Sequence, residues 1–152
     1  MTATGLQDMA DPGKEFVSEN RENLTGSALG ITLEGSRALL FEIEALATPT
    51  KFGYPKRSAR GIPQGKLDLL IAVANRYADA KLDGYDVYVN VSKGYSLDEP
   101  GADLTILAAV LSSRWNIALG QTVFMGEAGL TGLVRAPHGS EERLKLASKL
   151  TL

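Results

Sequence analysis

The chain has 152 residues, a formal net charge of -2, and is 44% hydrophobic and 22% charged, which is the composition of one globular domain with enough chain to build a core. The absence of cysteine excludes a disulfide framework and a thiolate metal site, and a single histidine, His138, excludes a multi-histidine site. No apolar run reaches the roughly 18 residues of a membrane span, the first thirty residues are too polar for a signal peptide, and the small net charge leaves any nucleic-acid function to a local patch; a soluble, cytoplasmic protein is expected.

Residues 1–27 are polar, with Leu6, Met9, Phe16, Val17 and Leu24 too scattered for a core element. They read as an extended lead-in that docks through Phe16 and Val17. Ala28 to Leu33 and Arg37 to Ala47 are strand candidates separated by Glu34-Gly35-Ser36, a hairpin signal. In the second strand Phe41, Ile43 and Ala45 alternate with Glu42 and Glu44, which predicts a half-buried strand whose acids are solvated. Thr48 to Pro63 contains three prolines and two glycines and reads as a loop. It carries Lys51, Lys56, Arg57 and Arg60 with no acid, and Phe52 and Tyr54 are interleaved, expected to anchor the loop on the core. Lys66 follows at the start of a helix, where a cation opposes the dipole and Asp68 partly offsets it.

From Gly65 to Leu82 the spacing of Leu67, Leu70, Ile71, Ala74, Tyr77 and Ala78 predicts an amphipathic helix closed by Asp83-Gly84. Tyr85 to Val91 alternates as a strand, and Ser92 to Ser96 is a loop. The chain is organised around what comes next. Asp98-Glu99-Pro100-Gly101-Ala102-Asp103 reads as a tight turn feeding a helix to Trp115, with Asp103 in the first turn. Leu104, Leu107, Ala108, Leu111 and Trp115 make one face, and Ile106, Ala109 and Val110 fill much of the rest, so the helix should be central. Thr122 to Met125 is a short strand candidate, Gly126 to Gly132 a tight connection and Leu133 to Ala136 a further strand. Ser140 reads as the N-cap of a last helix, with Glu141 and Glu142 in its first turn and Leu146, Ala147 and Leu150 inward. Mixed strands and helices in this order predict an α+β two-layer sandwich.

No phosphate-cradling motif is present, because Gly126 to Gly132 joins two strands rather than a strand and a helix. Asp98, Glu99 and Asp103 are acids of a kind that bind metals or move protons, but turn chemistry and a favourable charge at a helix N-terminus account for them. A Ser/Lys dyad needs a hydroxyl beside a neutral amine; Ser96, Ser140, Lys145 and Lys149 show no spacing that demands pairing.

Several runs carry a resemblance in unbroken order. They are Gly35-Ser-Arg-Ala-Leu-Leu-Phe-Glu-Ile-Glu-Ala-Leu, Phe52-Gly-Tyr-Pro-Lys-Arg-Ser-Ala-Arg-Gly61, Leu67-Asp-Leu-Leu-Ile-Ala-Val, Asp86-Val-Tyr-Val-Asn-Val, Glu99-Pro-Gly-Ala-Asp-Leu104 and Gly126-Glu-Ala-Gly-Leu-Thr-Gly-Leu-Val-Arg135. From about Leu6 onward the chain resembles the C-terminal domain of the RadA (Sms) family of bacterial DNA repair proteins, a domain similar to the proteolytic domain of Lon. The resemblance implies the Lon proteolytic-domain type of fold (ribosomal protein S5 domain 2-like). It implies that residues 1–27 are a lead-in from a missing ATPase core and that residues 28–152 are the Lon protease-like domain, truncated at its C-terminal end.

It also places the Lon nucleophile at Gly101 and the dyad lysine at Glu141, neither of which supplies the chemistry, so no peptidase activity is expected. In the family this domain is a ring-forming scaffold that contacts DNA, while an upstream DNA-dependent ATPase drives branch migration. ATP, Mg and Zn are expected only in that upstream part, with its zinc finger and Walker motif. The implied partners are DNA and copies of the chain in a hexameric ring, with no membrane. Lys56, Arg57, Arg60, Lys66 and Lys51 are the expected DNA contacts, with Lys56, Arg57, Arg60 and Lys66 on one shared face and Lys93 and Arg135 as lesser candidates; Phe52 and Tyr54 could contact sugar or bases, but anchoring the loop is the preferred reading. The alternatives are a pure scaffold without DNA contact and a diverged peptidase using Ser96 or Ser140 with Lys145.

Overall fold

A computed structural model describes residues 21–150; Leu6, Met9, Phe16 and Val17 lie outside the described residues. The main sheet has four strands, β1 (Ser27–Glu34), β2 (Arg37–Pro49), β3 (Arg57–Arg60) and β4 (Tyr85–Val91), in the order β1-β2-β4-β3. The β3/β4 pair is parallel and the other two are antiparallel. Helix α1 (Gln64–Tyr77) makes the crossover from β3 to β4, as a parallel pair requires. Helix α2 (Asp103–Trp115) follows β4, then a small hairpin of β5 (Glu127–Ala128) and β6 (Val134–Arg135), then α3 (Ser140–Lys149). The fold is α+β, as expected.

Strand alternation explains the layers. Ala28, Phe41, Ile43, Val87, Val89 and Val91 point to one face and pack under Leu67, Leu70, Ile71 and Ala74 of α1 and Ile106, Ala109 and Val110 of α2. Leu29, Ile31 and Leu40 point the other way and pack with Val123 and with Leu146, Ala147 and Leu150 around α3. Two layers therefore hold across β4 and β3, and α3 adds a third over the β1–β2 end. The hairpin expected at Glu34-Gly35-Ser36 is present, with Glu34 paired in the ladder and Gly35, at φ +63°, and Ser36 as its two-residue loop.

Several sequence expectations are corrected. The segment 48–63 is not all loop, because β2 continues to Pro49 and β3 lies inside it. Pro49 is the last residue of β2, and Pro55 and Pro63 lie outside β3. Glu42 is not solvated: β2 is an inner strand, and Glu42 is 2% exposed beneath the turn Arg21–Asn23. Arg21 Nη1 donates to its carboxylate at 2.5 Å and to Ser27 Oγ, Ser27 Oγ donates to the same carboxylate, and Arg21 Nε donates to Gly120 O. Helix α1 ends at Tyr77, because Asp79 and Lys81 turn left-handed to bury Ala80 and Leu82. Helix α2 is central, but its deepest face is Thr105, Ile106, Ala109, Val110 and Ser112; the Leu104–Leu111 stripe is only half-buried and Trp115 is exposed.

Residues 122–125 form no ladder. Val123 makes a single parallel bridge to Leu29, and the chain then leaves β1, so that Phe124 O accepts from Thr105 Oγ1 and Gly126 bonds to α2's start. Ser140 is not the cap of α3: Gly139, at φ +69°, holds that position, and the Ser140 hydroxyl donates to Pro137 O.

Removing one member of a buried ion pair leaves the other charged and unpaired. Glu42→Gln should lower the unfolding free energy by about 3–5 kcal/mol, read as a lower urea midpoint with an unchanged slope. A loss below about 1 kcal/mol would mean that Arg21 reaches solvent when its partner is gone.

Candidate functional site: a clamped turn and a basic strand edge

The turn before α2 is held from two sides. Arg143 on α3 is 2% exposed and spends its guanidinium on four bonds. Nη1 and Nη2 reach Glu99 Oε1 and Oε2 at 2.8 and 2.6 Å, Nη1 also donates to Ile31 O at 2.6 Å, and Nε donates to His138 O at 2.9 Å. From the other side, Lys66 Nζ donates to Asp103 Oδ1 at 2.7 Å, and Asp103 Oδ2 accepts the Ala128 N–H. Glu99 and Asp103 are thus committed to internal cations. Among the described residues no three metal-ligating side chains converge.

Gly101 sits inside this clamp. A Cβ there would lie 2.8 Å from Arg143 Nη1 and 2.9 Å from Pro137 Cβ, so the space beside Gly101 is filled by Arg143. Glu141 is exposed on α3. The structure brings Arg143 to Gly101, not Glu141, a residue the sequence reading missed. The available signal was its position two residues after Glu141, in a helix whose inward apolar residues are only Leu146 and Ala147. Ser140 is spent on Pro137 O, and Lys145 is exposed, 3.8 Å from Glu142.

The five basic candidates separate into two groups. In β3 the burial alternates, with Arg57 half-buried and Ser58 and Arg60 outward. Arg57 turns inward, where Nη1 donates to Tyr85 O and Nη2 to Leu82 O at 2.9 Å. Lys66 is bound to Asp103. Lys51, Lys56 and Arg60 remain exposed, and Arg60 lines a shallow groove of about 490 Å³ on the uncovered sheet face with Glu44, Leu46, Ser58, Tyr88 and Asn90. The expected four-residue face is corrected accordingly: residues 57 and 60 of a strand point to opposite sides. Lys93 holds a left-handed turn (φ 63°), and Arg135 is exposed on β6.

The loop before β3 also differs from expectation. Phe52 and Tyr54 do not anchor it; they are 90% and 94% exposed. Its base is fixed by Asp86, whose Oδ1 accepts the Lys56 N–H at 2.8 Å and the Thr50 hydroxyl at 2.9 Å. The Lys56 amide and then the Thr50 hydroxyl hold the Asp86 carboxyl below its ordinary pKa.

Together these features define an α+β domain with an internally neutralised turn at its centre and a cationic strand edge on its surface. The comparisons give it relatives. The chain is similar to DNA repair protein RadA of Brucella abortus (strain 2308), 38% identical over 151 residues, 99% of this chain and 32% of that protein. It is 41% identical to DNA repair protein RadA of Campylobacter jejuni over 148 residues, 97% of this chain and 32% of that protein. With DNA repair protein RadA of Streptococcus pneumoniae it is 37% identical over 151 residues, 99% of this chain and 36% of that protein. The resemblance read in the sequence holds, and it is consistent with a RadA C-terminal domain. The chain spans about one third of the length of these relatives. No family model matches it.

Burial raises the Glu99 pKa, but bonds from Arg143 and Thr32 and the charges of Arg143 and Lys66 outweigh it and hold the carboxyl below its ordinary value. A depressed folded pKa contributes stability above the unfolded value of about 4.3 and loses it as pH falls through the folded value. The melting temperature should therefore fall below about pH 4.3, and Glu99→Gln should flatten that acid limb. An identical limb in the variant would assign the loss to other carboxylates.

Proposed function

We propose that this chain is a non-catalytic DNA-binding domain of a RadA-like DNA repair protein, with Lys51, Lys56 and Arg60 as its phosphate contacts. The observation that carries the reading is the acid-free cationic segment at the β3 edge, exposed on a domain whose net charge is only -2. Cations along one surface bind a phosphate backbone by releasing its counterions, which makes binding salt-dependent. The relatives' name, DNA repair protein, agrees with this role. The likeness of the domain to the Lon proteolytic type remains part of the proposal. Its lack of peptidase chemistry is supported by the glycine at the nucleophile position and by the guanidinium that fills the space beside it.

One observation favours a scaffolding role beside DNA binding. An apolar groove of about 290 Å³ runs between α1, α2 and the β5–β6 hairpin, lined by Val73, Tyr77, Leu104, Leu107, Leu111 and Val134. It is suited to packing against a neighbouring copy in a ring. Under that reading alone, substitutions at the basic edge leave DNA binding by the intact assembly unchanged.

Duplex binding by the chain should weaken steeply between about 50 and 200 mM salt. Lys51→Gln/Lys56→Gln/Arg60→Gln should weaken it and flatten the salt slope, with the fold unchanged by circular dichroism. Equal affinity and slope in the triple variant would reject these residues as phosphate contacts. Arg57→Ala, by contrast, should act on the fold: two carbonyls lose their donor, at a cost of about 1–3 kcal/mol. A stable Arg57→Ala protein with weakened DNA binding would restore Arg57 to the interface. A serine-reactive fluorophosphonate probe should leave the chain unlabelled, and labelling at Ser96 or Ser140 would revive the peptidase reading.

A further inference from the structure

Phe52 and Tyr54 have no structural use that accounts for them. Both rings stand almost wholly in water, and the glycine between them, at φ +70°, has no atom within 4 Å of where a Cβ would sit. Neither ring contributes to the core, so burial does not explain two aromatic residues at one loop tip.

The tip is nonetheless held in place at both ends. On one side the Thr50 N–H donates to Gly84 O at 2.8 Å and its hydroxyl to Asp86. On the other, the Lys56 N–H donates to Asp86, and Lys56 O accepts the Val87 N–H at 2.8 Å. Pro55 restricts Tyr54 to extended backbone, and Pro49 stiffens the approach. Residues 51–55 therefore project from a fixed base at the edge of the sheet, so presenting the rings costs less conformational freedom than it would on a free loop.

The chemistry around the tip selects the ligand. Lys51 and Lys56 flank the rings, Arg60 lies further along the same edge, and no acid occurs from residue 48 to residue 66. Asp86, at the base of the loop, is occupied by the loop's own donors, and Glu44, which shares the groove with Arg60, accepts the Ser92 hydroxyl. Cations beside exposed π-faces suit a polyanion that also offers flat faces, which is an unpaired nucleic-acid strand. Duplex DNA hides its base faces in the stack; a single strand exposes them, and stacking on aromatic side chains accepts any base. The two residues sit within about 7 Å of chain, so both rings serve one short run of bases.

We infer that Phe52 and Tyr54 form a base-stacking site for single-stranded nucleic acid at the end of the cationic β3 edge. The inference rests on the DNA-binding reading above and adds the feature of the strand that is recognised. It divides the labour: Lys51, Lys56 and Arg60 hold phosphates of either nucleic-acid form, while the aromatic pair acts only where bases are unpaired.

The test is fluorescence anisotropy with the 152-residue chain and three labelled oligomers of equal length: oligothymidylate, its abasic analogue and a duplex. The wild type should bind oligothymidylate more tightly than the abasic strand. Phe52→Ala/Tyr54→Ala should lose about tenfold or more on oligothymidylate, change little on the other two, and keep its circular dichroism spectrum. Phe52→Trp should retain or improve binding. Equal affinity of wild type and double variant for oligothymidylate, with salt-dependent duplex binding intact, would overturn the stacking site and leave the phosphate contacts standing. No binding to any oligomer at low salt would overturn both. Cosedimentation with vesicles of phosphatidylcholine and phosphatidylglycerol supplies the remaining control. Capture that depends on the two rings, with no such dependence on oligothymidylate, would overturn the inference in favour of a lipid surface.

Discussion

The contact between Arg143 and Glu99 sets the arrangement of the domain's centre. A guanidinium buried this deeply is tolerated only when nearly all its donors are matched, and here the two carboxylate oxygens, the Ile31 carbonyl and the His138 carbonyl do so. Those partners come from the pre-α2 turn, the edge strand β1 and the turn before α3. One side chain therefore fixes three separate pieces of chain relative to one another. The Lys66–Asp103 pair does the same from α1, and Gly126 closes the bracket by bonding to Gly101 O and the Leu104 N–H. Glu99 and Asp103 also place negative charge at the start of α2, where the helix dipole favours it. Space, charge and hydrogen-bonding capacity around Gly101 are all used up by the fold itself.

The same accounting separates the surface cations. A basic residue is available to a phosphate only if its own fold does not already occupy it. Arg57 satisfies two carbonyls at the base of β4, and Lys66 neutralises Asp103, so both belong to the internal economy of the domain. Lys51, Lys56 and Arg60 have no such duty. Together with the two projecting rings they concentrate the exposed cationic and aromatic character of this edge, while α1 and α2 cover one face of the sheet and α3 covers the β1–β2 end of the other. β1 is protected from edge pairing because residues 118–126 and Arg143 lie along it.

Much of the fold was legible from local pattern. The alternation in Tyr85–Val91, the Gly35-Ser36 turn and the Pro100 turn that leads into α2 are short-range signals, and each matches the structure closely. What stayed illegible depended on tertiary partners. Glu42 alternates like a solvated residue, and only the approach of Arg21 from a separate turn makes it a core residue. β3 was hidden because its four residues carry two arginines between prolines, and its pairing comes from β4, more than twenty residues away. The inward face of α2 was misjudged because the helix is apolar on nearly every side, so periodicity alone did not choose between Leu107 and Ile106. The basic candidates were legible as a cluster in sequence, but their division required knowing that Arg57 and Arg60 lie on opposite sides of one strand. The link to the RadA relatives was readable from motifs spread along the whole chain.

On the reading proposed above, nucleic acid meets the loop and strand from Lys51 to Arg60 and not the turn at Gly101. Amide chemical-shift mapping of the chain during titration with an oligonucleotide tests it most directly. Shifts should concentrate at residues 50–60 and at their neighbours Tyr88 and Asn90, with Gly101, Ala102 and Arg143 unmoved. Shifts centred on residues 99–103 and on α3, with the 51–60 segment silent, would contradict it.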